Sequence, residues 1–176
     1  ERDLISSAHC PDKTHTDSQT KNSQTINSQT SNRQTINNHC VLGADTIVVL
    51  DGQILGKPKD RASCVEMLMI LSGRKHSVMS AIAIVQTENA ENEKKRIELS
   101  QTEVFFRPLD SVLIEKYWET KEPCDKAGGY GIQGFGAIFV EKIIGSYTGV
   151  VGLPIDILFP LLKEFNVPFW NGFDCQ

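Results

Sequence analysis

The stretch GADTIVVLDGQILGKPKD, Gly43 to Asp60, constrains the fold more than any other part of the chain, because it dictates an antiparallel hairpin. Ile47, Val48, Val49 and Leu50 form an apolar strand core, Asp51-Gly52 supplies a two-residue turn, and Ile54-Leu55 leads back to Gly56-Lys57-Pro58. One arm carries a carboxylate, Asp45, and the other an ammonium, Lys57, so the hairpin brings the two charges toward each other. Such a pair suits a phosphate site.

The 176 residues suffice for one domain with a substantial core, and 40% hydrophobic with 23% charged content is that of an ordinary globular chain. A net charge of −4 argues against gripping a nucleic-acid polymer, which needs clustered Lys and Arg to displace counterions. Five cysteines, with no C-x-x-C pair and no His at zinc spacing, indicate neither a disulfide framework nor a structural metal. They suggest a reducing compartment. No apolar run is long enough to span a bilayer, and no basic-then-apolar leader opens the sequence, so a cytoplasmic protein with no membrane partner is expected. The first residue is Glu1 and not Met, which reads as a fragment, a processed product or an incomplete gene model.

Residues 18–37 repeat with a period of five as SQTKN, SQTIN, SQTSN and RQTIN. Polar repeats bury too little apolar surface to offset the entropy of ordering, so 1–39 is expected to be a low-complexity, disordered segment or insertion. The folded domain is expected over 40–170, with a tail at 171–176. Asp60 reads as the N-cap of a helix with Ala62, Val65, Leu68 and Met69 on its inner face, stopped by Ser72-Gly73. His76 to Val85, apolar on both faces, reads as a strand inside a sheet covered on both sides. Glu88 to Arg96 reads as a charged loop before a strand at Ile97 to Phe106. Asp110 caps a second helix running to Thr120, Gly128 to Gly136 is a glycine-rich turn, and Ala137 to Ile143 is a strand. Pro154 opens a last helix with Ile155, Leu158, Phe159 and Leu162 inward, disturbed at Pro160. Elements in this order give an α/β or α+β domain.

Asp45, behind the small residues Gly43 and Ala44, is placed to bind a divalent cation or take a proton from water; the alternative is a strand-end Asp satisfied by backbone amides. Thr46 either donates to a ligand or merely suits the strand. Lys57, held extended by Pro58, is either a point charge for phosphate oxygens or a solvated surface lysine. The glycine-rich stretch from Lys121 to Asp156 sets Asp125, Lys126, Gln133, Ser146 and Tyr147 among turns. Gln133 has the donor and acceptor that reading a nucleobase edge requires, or it bonds a neighbouring loop. Arg74 and His76 lack catalytic partners at a telling spacing and read as structural. The glycine spacing fits neither a dinucleotide fingerprint nor a P-loop.

GADTIVVLDGQILGKPKD, SGRKHSV, EPCDKAGGYGIQG and GSYTGVVGLP, in that order, resemble the Maf family of nucleoside triphosphate pyrophosphatases, and in particular the Maf-like domain that some animals carry fused to a methyltransferase-like domain. The resemblance covers roughly residues 40–167. It implies an α/β, Maf-like (anticodon-binding/ITPase-like) fold, with a mixed, twisted sheet flanked by helices and a central cleft. It also implies a divalent cation, Mg or Mn, a homodimer, and cleavage of a nucleoside triphosphate to the monophosphate and pyrophosphate. By position Asp45 matches the family's general base and metal-binding carboxylate, Lys57 a phosphate-contacting lysine, and Thr46 and Gln133 the positions tied to base selection. Lys126, in the same glycine-rich motif as Gln133, joins the substrate-binding set. Gln in YGIQG implies dTTP and UTP as substrates. The family's Ser-x-Ser-Pro-Arg-Arg-type loop, and the Glu and Lys that follow it, are not recognisable before Gly43. The competing expectations are a catalytically impaired Maf-like module that binds nucleotides or a protein, and an interaction protein working through its SQT repeat.

Overall fold

The computed structural model describes residues 39–89 and 92–169. The SQT repeat and the expected 171–176 tail lie outside the described residues. Five strands form one sheet in the order β2-β1-β3-β4-β5: β1 (His39–Leu50), β2 (Gln53–Leu55), β3 (Lys75–Asn89), β4 (Asn92–Phe106) and β5 (Val140–Ile144). Every pairing among them is antiparallel, so the mixed sheet expected from the family resemblance is not found among the described residues. Hairpins join β1 to β2 and β3 to β4, and each turns the chain back on itself.

The first hairpin forms where expected. Asp51 and Gly52 both have positive φ (50° and 79°), as a two-residue turn matched to strand twist requires, and Arg74 holds Asp51 at 2.5 Å. α1 (Arg61–Leu71) begins with a reciprocal cap, Ser63 N donating to Asp60 Oδ1 at 2.8 Å and Asp60 N to Ser63 Oγ at 3.0 Å. Its buried face is Cys64, Leu68 and Leu71, while Ala62 and Met69 are exposed. The run Cys64 to Leu71 is apolar nearly all round, so helical period alone does not phase it; docking does. The same holds for α4 (Ile155–Glu164), which buries Leu158 and Leu161 and exposes Ile155 and Phe159. Pro160 lies inside α4 without ending it.

The charged segment expected as a loop is strand instead: β3 reaches Asn89, β4 starts at Asn92, and Lys94, Lys95 and Arg96 pair with Gln86, Val85 and Ile84. Backbone bonds carry that ladder whatever the side-chain polarity. α2 (Ser111–Glu119) is capped by Asp110, which accepts from Leu113 N at 2.7 Å. The glycine-rich stretch forms 3₁₀ turns at Glu122–Asp125, Ala127–Gly129 and Phe135–Phe139. The last of these replaces the start of the strand expected from Ala137. A short helix, α3 (Tyr147–Val151), capped by Ser146, was not expected.

All buried strand residues among those described carry even numbers, from Val48 to Phe106. With a period of two, they lie on one face. Two apolar clusters stand on it. Val48, Val78 and Val104 pack with α1 and α2, and Ile82 and Ile84 pack with α4. Burying a side chain such as Leu68 completely contributes roughly 2–3 kcal/mol. The opposite face carries Val41, Ile97 and Leu99 at 64%, 60% and 55% exposure. The expectation of a sheet covered on both sides therefore fails among the described residues: the helices gather on one side. Cys124 is disulfide-bonded, against the reading of the cysteines as a reduced set; Cys40 and Cys64 are free. Sequence spacing does not report which thiols meet in space. No helix among the described residues is long and apolar enough to cross a membrane.

Candidate active site

Between the two clusters the covered face turns polar: Thr46, Ser80 and Ser100 stand in register on β1, β3 and β4, with Thr102 beside them. These short side chains let α3 lie close against the sheet. Ser80 Oγ donates to Gly149 O at 2.6 Å, Ser146 N donates to Thr102 Oγ1 at 2.9 Å, and Thr102 Oγ1 reaches Ser146 O at 3.2 Å. A methyl group on Gly145 would stand 2.7 Å from Thr102 Oγ1, so the close approach requires glycine there.

Beside this belt opens a cavity of about 520 Å³, a size that suits a nucleotide. Asp45, Thr46, Lys57, Lys126 and Gln133 all line it. β2 ends opposite Val48, so Asp45 lies on a stretch of β1 that pairs with β3 alone. Its Oδ1 accepts from Thr46 N at 2.8 Å; the carboxylate is otherwise exposed and has no cationic partner among the described residues. Thr46 Oγ1 sits 2.7 Å from Ser80 Oγ and 3.5 Å from Gly152 O, so this hydroxyl is tied into the polar belt.

The Lys57 segment is anchored by buried Pro58 and by Gly128 N donating to Gly56 O at 3.0 Å. The Lys57 ammonium itself makes no ion pair among the described residues. Lys126 Nζ is held by Asp125 Oδ1 at 2.6 Å. Gln133 is exposed, and its amide makes no hydrogen bond among the described residues; the alternative of a bond to a neighbouring loop is not seen.

The structure adds residues that sequence reasoning passed over. Glu122, just past the expected end of the second helix, lines the same cavity and accepts hydrogen bonds from Tyr117 Oη (2.8 Å), Phe135 N (2.7 Å) and Gly136 N (3.0 Å). Burial alone would push its carboxyl up, yet the Gly136 amide, the Tyr117 hydroxyl, the Phe135 amide and nearby Lys126 together outweigh burial and hold it below the usual range. Burial, and then the bond to Glu122, push the Tyr117 phenol up. Tyr130 also lines the cavity, and burial raises its phenol; His76 Nε2 lies 2.8 Å from its Oη. A buried aromatic pair behind the pocket has no signal in residue spacing.

The arrangement can hold an anion on Lys57, offer a carboxylate to water or a cation, and present an amide to a polar ring edge. The comparisons with known proteins agree in kind. A dTTP/UTP pyrophosphatase of Saccharophagus degradans is 50% identical over 131 residues, covering 74% of this chain and 60% of that protein. One from Aliivibrio fischeri is 53% identical over 125 residues (71% of this chain, 63% of that protein), and one from Bacillus pumilus 51% over 130 (73% and 66%). The chain thus spans about three fifths to two thirds of the length of these curated relatives. A family profile described as "Maf-like protein" matches residues 5–165. With that match over most of its length, the chain belongs to the Maf-like protein family.

Proposed function

We propose that this chain carries the catalytic domain of a nucleoside triphosphate pyrophosphatase acting on dTTP and UTP. The observation that carries this reading is the meeting, in one nucleotide-sized cavity, of a carboxylate (Asp45), an ammonium (Lys57) and an amide (Gln133), none of which is paired with another side chain among the described residues. The names of relatives about 50% identical support the same substrates. Asp45 takes a proton from water as its oxygen attacks the α-phosphorus. The bond from that phosphorus to the oxygen bridging toward the β-phosphorus breaks, and pyrophosphate leaves with the electron pair. Lys57 and Lys126 offset phosphate charge, and Gln133 with Thr46 selects the pyrimidine.

A divalent cation, Mg or Mn, fits the donor set in one respect: Asp45 presents a carboxylate oxygen with no partner among the described residues. Among the described residues no group of three or more His, Cys, Asp or Glu could hold a metal, so a cation here would share its ligands with phosphate oxygens and water. It would supply charge neutralisation on the triphosphate. A homodimer and a cytoplasmic location belong to the same proposal, tested by light scattering and cell fractionation.

Pyrophosphate release from dTTP, UTP, CTP and GTP, with Mg²⁺ or Mn²⁺, tests the reading. Asp45→Asn should keep the fold and abolish turnover; release that continues at the wild-type rate in that variant would sink the assignment. That no group of three or more metal-ligating side chains stands at the site among the described residues favours a second reading, a module that binds nucleotide without turning it over. Saturable UTP binding with no pyrophosphate release would select it.

A further inference from the structure

Lys121, in the left-handed region at φ 62°, ends the run of chain that follows α2 and turns Glu122 inward. The Glu122 carboxylate then clasps a segment 13 to 14 residues further on, through Phe135 N at 2.7 Å and Gly136 N at 3.0 Å. Tyr117 completes the clasp: its Oη donates to Glu122 Oε1 at 2.8 Å and accepts from Gly131 N at 3.1 Å. Both ends of Gly131–Gly136 are therefore held by one Tyr-Glu pair. Tyr117 is itself fixed, being 3% exposed with its ring edge-on to Phe139 at 4.8 Å.

This contact accounts for glycines that sequence alone could only count. A methyl group on Gly134 would lie 2.1 Å from Glu122 Oε2, and one on Gly136 would lie 2.8 Å from Tyr117 Oη. The carboxylate and the phenol occupy the space where side chains would stand. The one polar side chain within Gly131–Gly136 is Gln133, and it makes no hydrogen bond of its own among the described residues. Its place in the cavity is thus set by the backbone that Glu122 and Tyr117 hold.

We propose that Tyr117 and Glu122 are positioning residues for base selection: they hold the Gln133 loop where it reads the pyrimidine, without touching the reacting phosphates. This rests on the pyrophosphatase reading above. Glu122→Gln keeps the shape but turns an amide N–H₂ toward a backbone N–H, or loses the bond to one of the two amides, because a carboxamide has a single carbonyl acceptor. Tyr117→Phe removes the donor to Glu122 and the acceptor for Gly131 together.

The test uses the full chain in four forms: wild type, Glu122→Gln, Tyr117→Phe and Gln133→Ala. Steady-state pyrophosphate release or equilibrium binding is measured for UTP, CTP and GTP, alongside amide hydrogen exchange over 131–136. In Glu122→Gln the preference for UTP over CTP and GTP should fall about tenfold, toward that of Gln133→Ala, with the loss carried in KM more than in kcat. Exchange over 131–136 should quicken about tenfold while the strand amides stay protected. Tyr117→Phe should move both readouts in the same direction, and guards against a Glu122 variant that fails to fold.

Unchanged preference in both variants, with Gln133→Ala impaired, overturns the proposal and leaves the pyrophosphatase reading intact. A fall in kcat alone at constant preference also overturns it. A wild type that neither binds nor hydrolyses any of the three nucleotides overturns the substrate reading itself, and the base-selection role falls with it.

Discussion

Acidification from pH 7 to 4.5 should destabilise this protein through His76, and the loss can be worked from its surroundings. The ring is 3% exposed; among the described residues its Nδ1 has no hydrogen-bond partner and its Nε2 meets only Tyr130 Oη. Phe106 and Tyr130 stand edge-on to it at 4.9 and 5.5 Å. Burial in this apolar box disfavours the imidazolium and lowers the pKa from 6.5 to about 4. The folded value lies below the unfolded one, so as pH falls through 6.5 the unfolded chain takes a proton that the native state refuses until about pH 4. Stability is then full above about pH 6.5 and declines down to about pH 4. At about 1.36 kcal/mol for each pH unit of that gap, the total is about 3 kcal/mol, most of it already lost at pH 4.5. Urea unfolding of the wild type and His76→Gln at pH 7, 6, 5 and 4.5 measures it. Gln keeps a partner for the Tyr130 hydroxyl but does not titrate, and carboxylate effects cancel in the difference. The wild type should lose about 2–3 kcal/mol relative to the variant across this range. Parallel profiles, constant to within about 0.5 kcal/mol, would refute the reasoning about a buried neutral ring.

Other perturbations probe the site and its supports. Gly134→Ala should displace the Glu122 carboxylate, whose Oε2 lies 2.1 Å from the added methyl, and destabilise the fold by about 2 kcal/mol in a thermal or urea melt. Gly128→Ala meets both a positive φ of 71° and the Val48 side chain at 3.0 to 3.2 Å, so about 2–3 kcal/mol of stability should be lost by the same measure. Lys57→Ala should weaken UTP binding about tenfold in calorimetry while leaving uridine binding unchanged, since only the triphosphate presents an anion.

Much of the local structure was legible because its causes lie within four residues of each other. The Asp51-Gly52 turn and the caps at Asp60 and Asp110 are short-range hydrogen-bond solutions, and each formed where the residues predicted. Asp45, Thr46, Lys57, Lys126 and Gln133 were nameable as site candidates because contiguous motifs carry them, although their meeting in one cavity is a tertiary fact. The inner faces of α1 and α4 were misread because their apolar residues run too continuously for period to choose a stripe. The charged run before Ile97 was misread because backbone pairing with β3 extends the strand regardless of polarity.

The residues alone settled the hairpin, the starts of α1 and α2 and the chemical kinds of group available, since bonded neighbours and short-range hydrogen bonds dictate these. Packing decided the rest. One face of the sheet gathered all the helices described, and the polar belt of Thr46, Ser80 and Ser100 parted the core and left room for a cavity. Glu122 became a clasp because two amides 13 and 14 residues away came within reach of its carboxylate. No spacing rule encodes such a contact. It exists only once α2, the 3₁₀ turns and β1 have packed together and brought those amides to the carboxylate.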